Sequence, residues 1–191
     1  MKRAVLSVLS VAGLCAATGA LAVDNIRGLA MTCDNCHGTG GTSVGLSMPS
    51  IAGLPEAYLK NIMMEWKTGK RASANMTRLI KGYSEDEIAA LAGYYAKLPW
   101  KPQPQSVAAD VLLKGKDASE ACENCHGKTG ASEEDDTPHL NGQWAKYLEL
   151  ELMKYRDPGF AMPHRKMTNA AKKLGADQVQ PAAQYYGAQS K

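Results

Sequence analysis

The sequence predicts an all-α protein built from two tandem copies of one small domain. Three observations lead there. A five-residue motif occurs twice, as Cys33-Asp34-Asn35-Cys36-His37 and Cys122-Glu123-Asn124-Cys125-His126. A shift of 89 residues superimposes the flanking sequence as well as the motif. Apolar residues recur at helical spacing in both copies, and strand signals are weak.

The 191 residues divide in order. Met1-Lys2-Arg3, an Ala- and Leu-rich apolar run and a small-x-small ending at Ala20-Leu21-Ala22 read as a secretory signal over 1–22. Ser, Gly and Thr interrupt that run, which argues against a membrane anchor, so the mature chain is expected to carry no membrane span. Cys15 follows Leu14 rather than a small residue, so a lipoprotein cleavage box is not expected. Domain one is expected over 23–98 and domain two over 106–191, with a Pro-rich linker at 99–105. Pro99, Pro102 and Pro104 exclude a helix interior and favour an extended spacer.

Within the copies, Pro49-Ser50-Ile51-Ala52-Gly53 lies over Pro138-His139-Leu140-Asn141-Gly142, and Tyr58-Leu59 over Tyr147-Leu148. A shift of 91 then aligns Met76-Thr77 with Met167-Thr168 and Tyr94-Tyr95 with Tyr185-Tyr186, which implies a two-residue insertion around 157–161. A short helix is expected before each motif, with Gly28 and Gly115 allowing close helix crossing. Pro55 opens a helix with Tyr58, Leu59, Ile62 and Trp66 on one face, and Gly69 follows its end. Ser84 to Glu87 is a capping box for a helix running to Lys97. Asp177 is expected to cap the matching helix in copy two, with Pro181 at the edge of its first turn.

Cys-x-x-Cys-His is the attachment signature of a c-type haem. The thiols of Cys33 and Cys36, and of Cys122 and Cys125, are the expected covalent anchors, and His37 and His126 the expected proximal axial ligands. A structural zinc site needs four ligands together, and the wide gap between the Cys pairs argues against one. The signal segment and the four remaining cysteines place the mature chain in the periplasm, where such haems are attached. Loss of Lys2 and Arg3 takes the formal charge from +3 to +1, and no basic stripe is present, so nucleic acid is not an expected partner.

The second axial ligand decides between electron transfer and small-molecule binding, and a Met thioether gives a closed, high-potential iron. Met76 and Met167 match across the repeat, each separated from the Tyr pair by 17 residues, and are taken as the distal ligands. Met162, followed by Pro163, is the alternative to Met167. Met63 and Met64 fit a helix core, and Met31 and Met48 lack counterparts. His139 and His164 are expected at surface or supporting positions. The Glu133 to Asp136 run reads as a solvated loop or a docking patch.

These residues resemble the dihaem cytochromes of the cytochrome c4 kind, and more closely the dihaem cytochrome subunit of flavocytochrome c sulfide dehydrogenase. Ser43-Val44-Gly45, Pro49 to Ala52, Met76 with Lys81 to Ser84, Gly142-Gln143-Trp144 and Tyr147-Leu148 carry that resemblance, with the acidic run before them. It implies two tandem cytochrome c-like domains, each wrapped around one covalently bound haem c. It also implies a heterodimer with a flavoprotein sulfide dehydrogenase subunit that holds FAD. Electrons would then pass singly through the two haems to a soluble cytochrome c or similar acceptor, with no catalytic residue on this chain. The second expectation is a free-standing shuttle of the cytochrome c4 kind feeding a terminal oxidase. Catalysis by this chain alone, as a peroxidase or thiosulfate-type dehydrogenase, is disfavoured because no spare Cys exists and matched methionines are present.

Overall fold

The computed structural model describes residues 25–191, so the expected signal at 1–22 lies outside the described residues. Within them every regular element is helical. The first half contains α1 (Ile26–His37), α2 (Glu56–Lys67), α3 (Met76–Leu79) and α4 (Glu85–Ala96). The second contains α5 (Ala109–Ala118), α6 (Glu120–His126), α7 (Ala145–Arg156), α8 (Arg165–Lys173) and α9 (Val179–Gly187). None of these helices is long and apolar enough to cross a membrane.

Local sequence sets the helix ends. Pro55, at φ −56° and ψ 137°, precedes α2 as the cap, where its missing N–H costs nothing. The Ser84 hydroxyl accepts from the Glu87 amide while the Glu87 carboxylate accepts from the Ser84 amide, closing the capping box of α4. Glu85, Asp86 and Glu87 all face the positive end of that helix dipole. The Asp177 expectation does not hold. α9 starts behind Gln178 with no side-chain cap, and the Gln178 carboxamide instead accepts from the Gly175 amide at 2.7 Å. Pro181 is the third residue of α9, a position whose N–H has no intrahelical acceptor.

Two apolar cores form, one per half. Leu59 from α2 and Leu91, Ala92 and Tyr95 from α4 close on Ala30 of α1. Leu148, Leu152 and Tyr155 from α7 pack with Val179, Ala182, Ala183 and Tyr186 from α9. The two expected crossing glycines part company. A Cβ on Gly115 would lie 2.2 Å from the Pro181 carbonyl oxygen, so α5 and α9 touch there backbone to backbone. The atoms nearest a Cβ on Gly28 belong to the Asn25 side chain, which caps α1. The two glycines are not equivalent in the repeat, because the residue opposite Gly115 is Ile26.

The segment between the halves is extended but seated. The amide of Gln103 donates to the Gly142 carbonyl at 2.9 Å, and that of Gln105 to the Gly187 carbonyl at 3.0 Å. The Trp100 indole donates to the Asn141 carbonyl at 3.1 Å. The repeat-related Gly53 and Gly142 hold φ +70° and +65°, and a Cβ on either would strike the crossing chain, 2.2 Å from the Trp100 amide nitrogen or 2.5 Å from that of Gln103.

Direct contacts join the halves elsewhere. Arg71, 4 % exposed, donates to the Tyr155 hydroxyl and to the Glu151 carboxylate, both at 2.9 Å, and lies 3.7 Å from Glu65. His164 pairs with the other Glu65 oxygen at 2.9 Å, and the Ala72 amide donates to the Ala161 carbonyl at 3.0 Å. The Trp144 indole donates to the Ser43 carbonyl, and the Tyr147 amide to the Leu46 carbonyl.

Two outcomes are expected from thermal and denaturant unfolding of the holoprotein. Gly115→Ala costs about 1–3 kcal/mol because backbone on both sides must separate, whereas Gly28→Ala stays within about 1 kcal/mol of wild type. Arg71→Met costs about 3 kcal/mol, because it leaves Glu65 and Glu151 without their shared cation in a mostly dry interface.

Candidate functional site

Each motif forms the last turn of a helix: Cys33 to His37 ends α1, and Cys122 to His126 ends α6. Spacing of three residues puts both thiols of a pair on one helix side, one turn apart. Cys33 and Cys122 are half-buried against their cores, and Cys36 and Cys125 are exposed. Burial pushes the Cys33 and Cys122 thiols up, so both stay protonated near neutral pH.

The histidines are held from behind. His37 Nδ1 lies 2.9 Å from the Pro49 carbonyl oxygen, and His126 Nδ1 lies 3.2 Å from that of Pro138. An acceptor at Nδ1 fixes the proton there and leaves the Nε2 lone pair for a metal, with the ring direction set. Burial holds both imidazoles below their usual pKa, in the neutral form that ligation requires. The sequence presented Pro49 and Pro138 as repeat partners, and their role as acceptors appears only in the fold. The signal was there: both lie 12 residues beyond their histidine.

Met76 is half-buried at the start of α3, and its amide donates to the Ser73 hydroxyl at 3.2 Å. The Ser73 amide in turn donates to the Thr77 hydroxyl, which ties that loop into one shape. Met167 in α8 and Met162 in the loop before it both pack on the second core, as does Cys122. Met63 packs on the first core, and Met31 is exposed. His139 lies against the Trp100 ring at 5.6 Å between centroids, and His164 is occupied by Glu65.

Fit to a haem can be tested on the polar groups left over. The Trp66 indole nitrogen in the first half and the Thr168 hydroxyl beside Met167 are buried without a protein partner. Such an orphan costs about 1–3 kcal/mol, and the carboxylates of a haem are acceptors of the missing kind. Thiol pair, oriented imidazole, thioether and orphaned donors together suit a covalent haem in each half. Among the described residues no three His, Cys, Asp or Glu side chains converge as a separate metal site.

Sequence reasoning missed the buried Arg71 cluster and the buried Gln143. Burial raises the Tyr58, Tyr147 and Tyr155 phenols, while Arg71 works in the opposite direction on each. Arg71 has no cationic counterpart in the repeat, which was the only available hint.

Comparison with known proteins places this arrangement. No family model matches the chain. Cytochrome c4 of Pseudomonas aeruginosa is 33 % identical over 160 residues, covering 80 % of this chain and 79 % of the relative. A thiosulfate dehydrogenase electron acceptor of Thiomonas intermedia is 33 % identical over 172 residues, covering 84 % and 79 %. The cytochrome subunit of sulfide dehydrogenase of Chlorobaculum tepidum is 38 % identical over 73 residues, covering 38 % of this chain and 66 % of the relative. The crystal structure of reduced recombinant cytochrome c4 from Pseudomonas stutzeri shares the fold, with a TM-score of 0.77 at 21 % identity over 86 % of this chain and 96 % of that one.

Each motif is expected to load its own haem. In a Cys122→Ser/Cys125→Ser variant, the haem content per chain by alkaline pyridine assay falls to half that of wild type, and the first-half haem spectrum persists.

Proposed function

The chain belongs to the dihaem cytochrome c4 family, and on that premise we propose that it relays single electrons from a periplasmic dehydrogenase of reduced sulfur compounds to a soluble acceptor. The observation that carries this reading is the doubling of one complete site: two thiol pairs, each ending in an imidazole whose Nδ1 is already committed to a carbonyl. Two covalent haem c supply one one-electron couple each. The protein anchors, orients and shields them.

Cys33 and Cys36 anchor the first haem and Cys122 and Cys125 the second. His37 and Met76 would hold the iron of the first haem, and His126 and Met167 that of the second. Met167 is preferred over Met162 because it matches Met76 across the repeat and sits within a helix. The neighbour of Met162, Ala161, is committed to the contact with Ala72 of the first half. With a His and a Met committed to each iron, the bound haem would store and release electrons rather than bind a small substrate, so the chain would act as an electron-transfer subunit.

The finer reading gives the donor as a flavoprotein sulfide dehydrogenase subunit with FAD, joined to this chain as a heterodimer. The likeness to a sulfide dehydrogenase cytochrome subunit over 73 residues supports it. The second reading is a free-standing shuttle of the cytochrome c4 kind that feeds a terminal oxidase, favoured by relatives that align over most of the chain. The N-terminal signal pattern supports export to the periplasm in either case.

Purification of the native protein under mild conditions separates the two. A co-purifying flavoprotein, with haem reduction on addition of sulfide, establishes the first reading. A lone dihaem chain that sulfide leaves oxidised establishes the second. For the distal ligands, Met76→Ala and Met167→Ala are each expected to remove about half of the far-red Met–iron absorption band of the oxidised protein, and the double variant all of it. Full survival of the band in the double variant would overturn the assignment.

A further inference from the structure

We propose that Gln143, a residue of the second half, is a positioning residue for the haem of the first half and lowers its reduction potential through the Pro49–Ser50 peptide. The inference rests on the assignment of His37 as the proximal ligand. Gln143 is 2 % exposed and Ser50 is 3 % exposed. The Gln143 carboxamide oxygen accepts from the Ser50 amide at 3.0 Å, and its nitrogen donates to the Ser50 carbonyl at 2.9 Å. The Ser43 amide donates to the Ser50 hydroxyl, which fixes the same residue from a third side.

The Ser50 N–H and the Pro49 carbonyl belong to one peptide unit. One end of that unit is held by Gln143, and the other end holds His37 Nδ1 at 2.9 Å. A planar peptide cannot turn one end without the other, so the Gln143 carboxamide fixes the direction of the acceptor behind His37. Donation from the N–H also polarises the amide and makes its carbonyl a stronger acceptor. A stronger acceptor at Nδ1 gives the imidazole more basic character as a ligand. A more basic ligand favours ferric over ferrous iron, so the midpoint falls.

The second half lacks this device. The residue that matches Gln143 across the repeat is Leu54, which has no polar side-chain atom to offer. The matching peptide, Pro138–His139, accepts from His126 at the longer distance of 3.2 Å. Two sites with the same ligands therefore receive different support. The difference comes from one half bracing the other.

The test is a spectroelectrochemical titration of the full dihaem protein carrying Gln143→Met. The first-half haem midpoint is expected to rise, by about threefold to tenfold in its redox equilibrium constant, where tenfold is about 59 mV for a one-electron couple. The second midpoint stays in place. Equal movement of both midpoints, or of neither, would overturn the proposal. A measurement on the unaltered protein stands beside it, independent of whether the variant folds. In the reduced state the His37 Nδ1 proton should resonate further downfield and exchange more slowly with solvent than that of His126, and equal or reversed behaviour would overturn the proposal. A His37→Ala variant that leaves both midpoints unchanged would remove the ligand assignment itself, and the proposal with it. Loss of one midpoint in that variant, with Gln143→Met silent, would leave the assignment standing and sink the proposal alone.

Discussion

Each half of this chain has only a modest apolar core of its own, and that constraint organises everything else. Domains of this size gain much from a covalent staple. The two cores are modest, and each places a motif cysteine, Cys33 or Cys122, at its margin. A haem bonded to that cysteine would add apolar surface to the core it borders. Helix ends, turn glycines and the carbonyls of Pro49 and Pro138 all serve to present the thiols and imidazole to the same planar group.

The second level of organisation is the contact between halves. It is built largely from hydrogen bonds and ion pairs rather than from a merged apolar core. Arg71 meets Glu151 and Tyr155, Gln143 meets Ser50, and Trp144 meets the Ser43 carbonyl. Polar contacts of this kind fix register sharply, since a small displacement strands a buried charge or amide. The segment between the halves adds to this by lying against Gly53 on one side and Gly142 on the other. The two Cys-x-x-Cys-His motifs are thereby held at a set separation and orientation.

Pseudo-symmetry breaks in places that matter. α1 is one helix, whereas its counterpart is divided at Ser119 into α5 and α6, with the Ser119 hydroxyl bonded back to the Gly115 carbonyl at 2.7 Å. The second half packs α5 tightly on α9 through Gly115, and the matching position in the first half is Ile26. Duplication gave two sites of one chemistry, and later divergence gave each its own surroundings.

What the sequence determined by itself was local or periodic. The two Cys-x-x-Cys-His motifs, the repeat, the capping box at Ser84 and the helix opening at Pro55 depend on residues a few positions apart, so spacing alone revealed them. The helix start after Gln178 was misread, because Asp177 offers a cap by type and the loop geometry at Gly175 uses Gln178 instead. Only the tertiary structure decided what depends on residues far apart in the chain. It alone shows Arg71 paired across 80 residues with Glu151, and the Gln143 carboxamide gripping Ser50 across 93. No periodicity marks such pairs, because burial, not spacing, selects a polar side chain's partner.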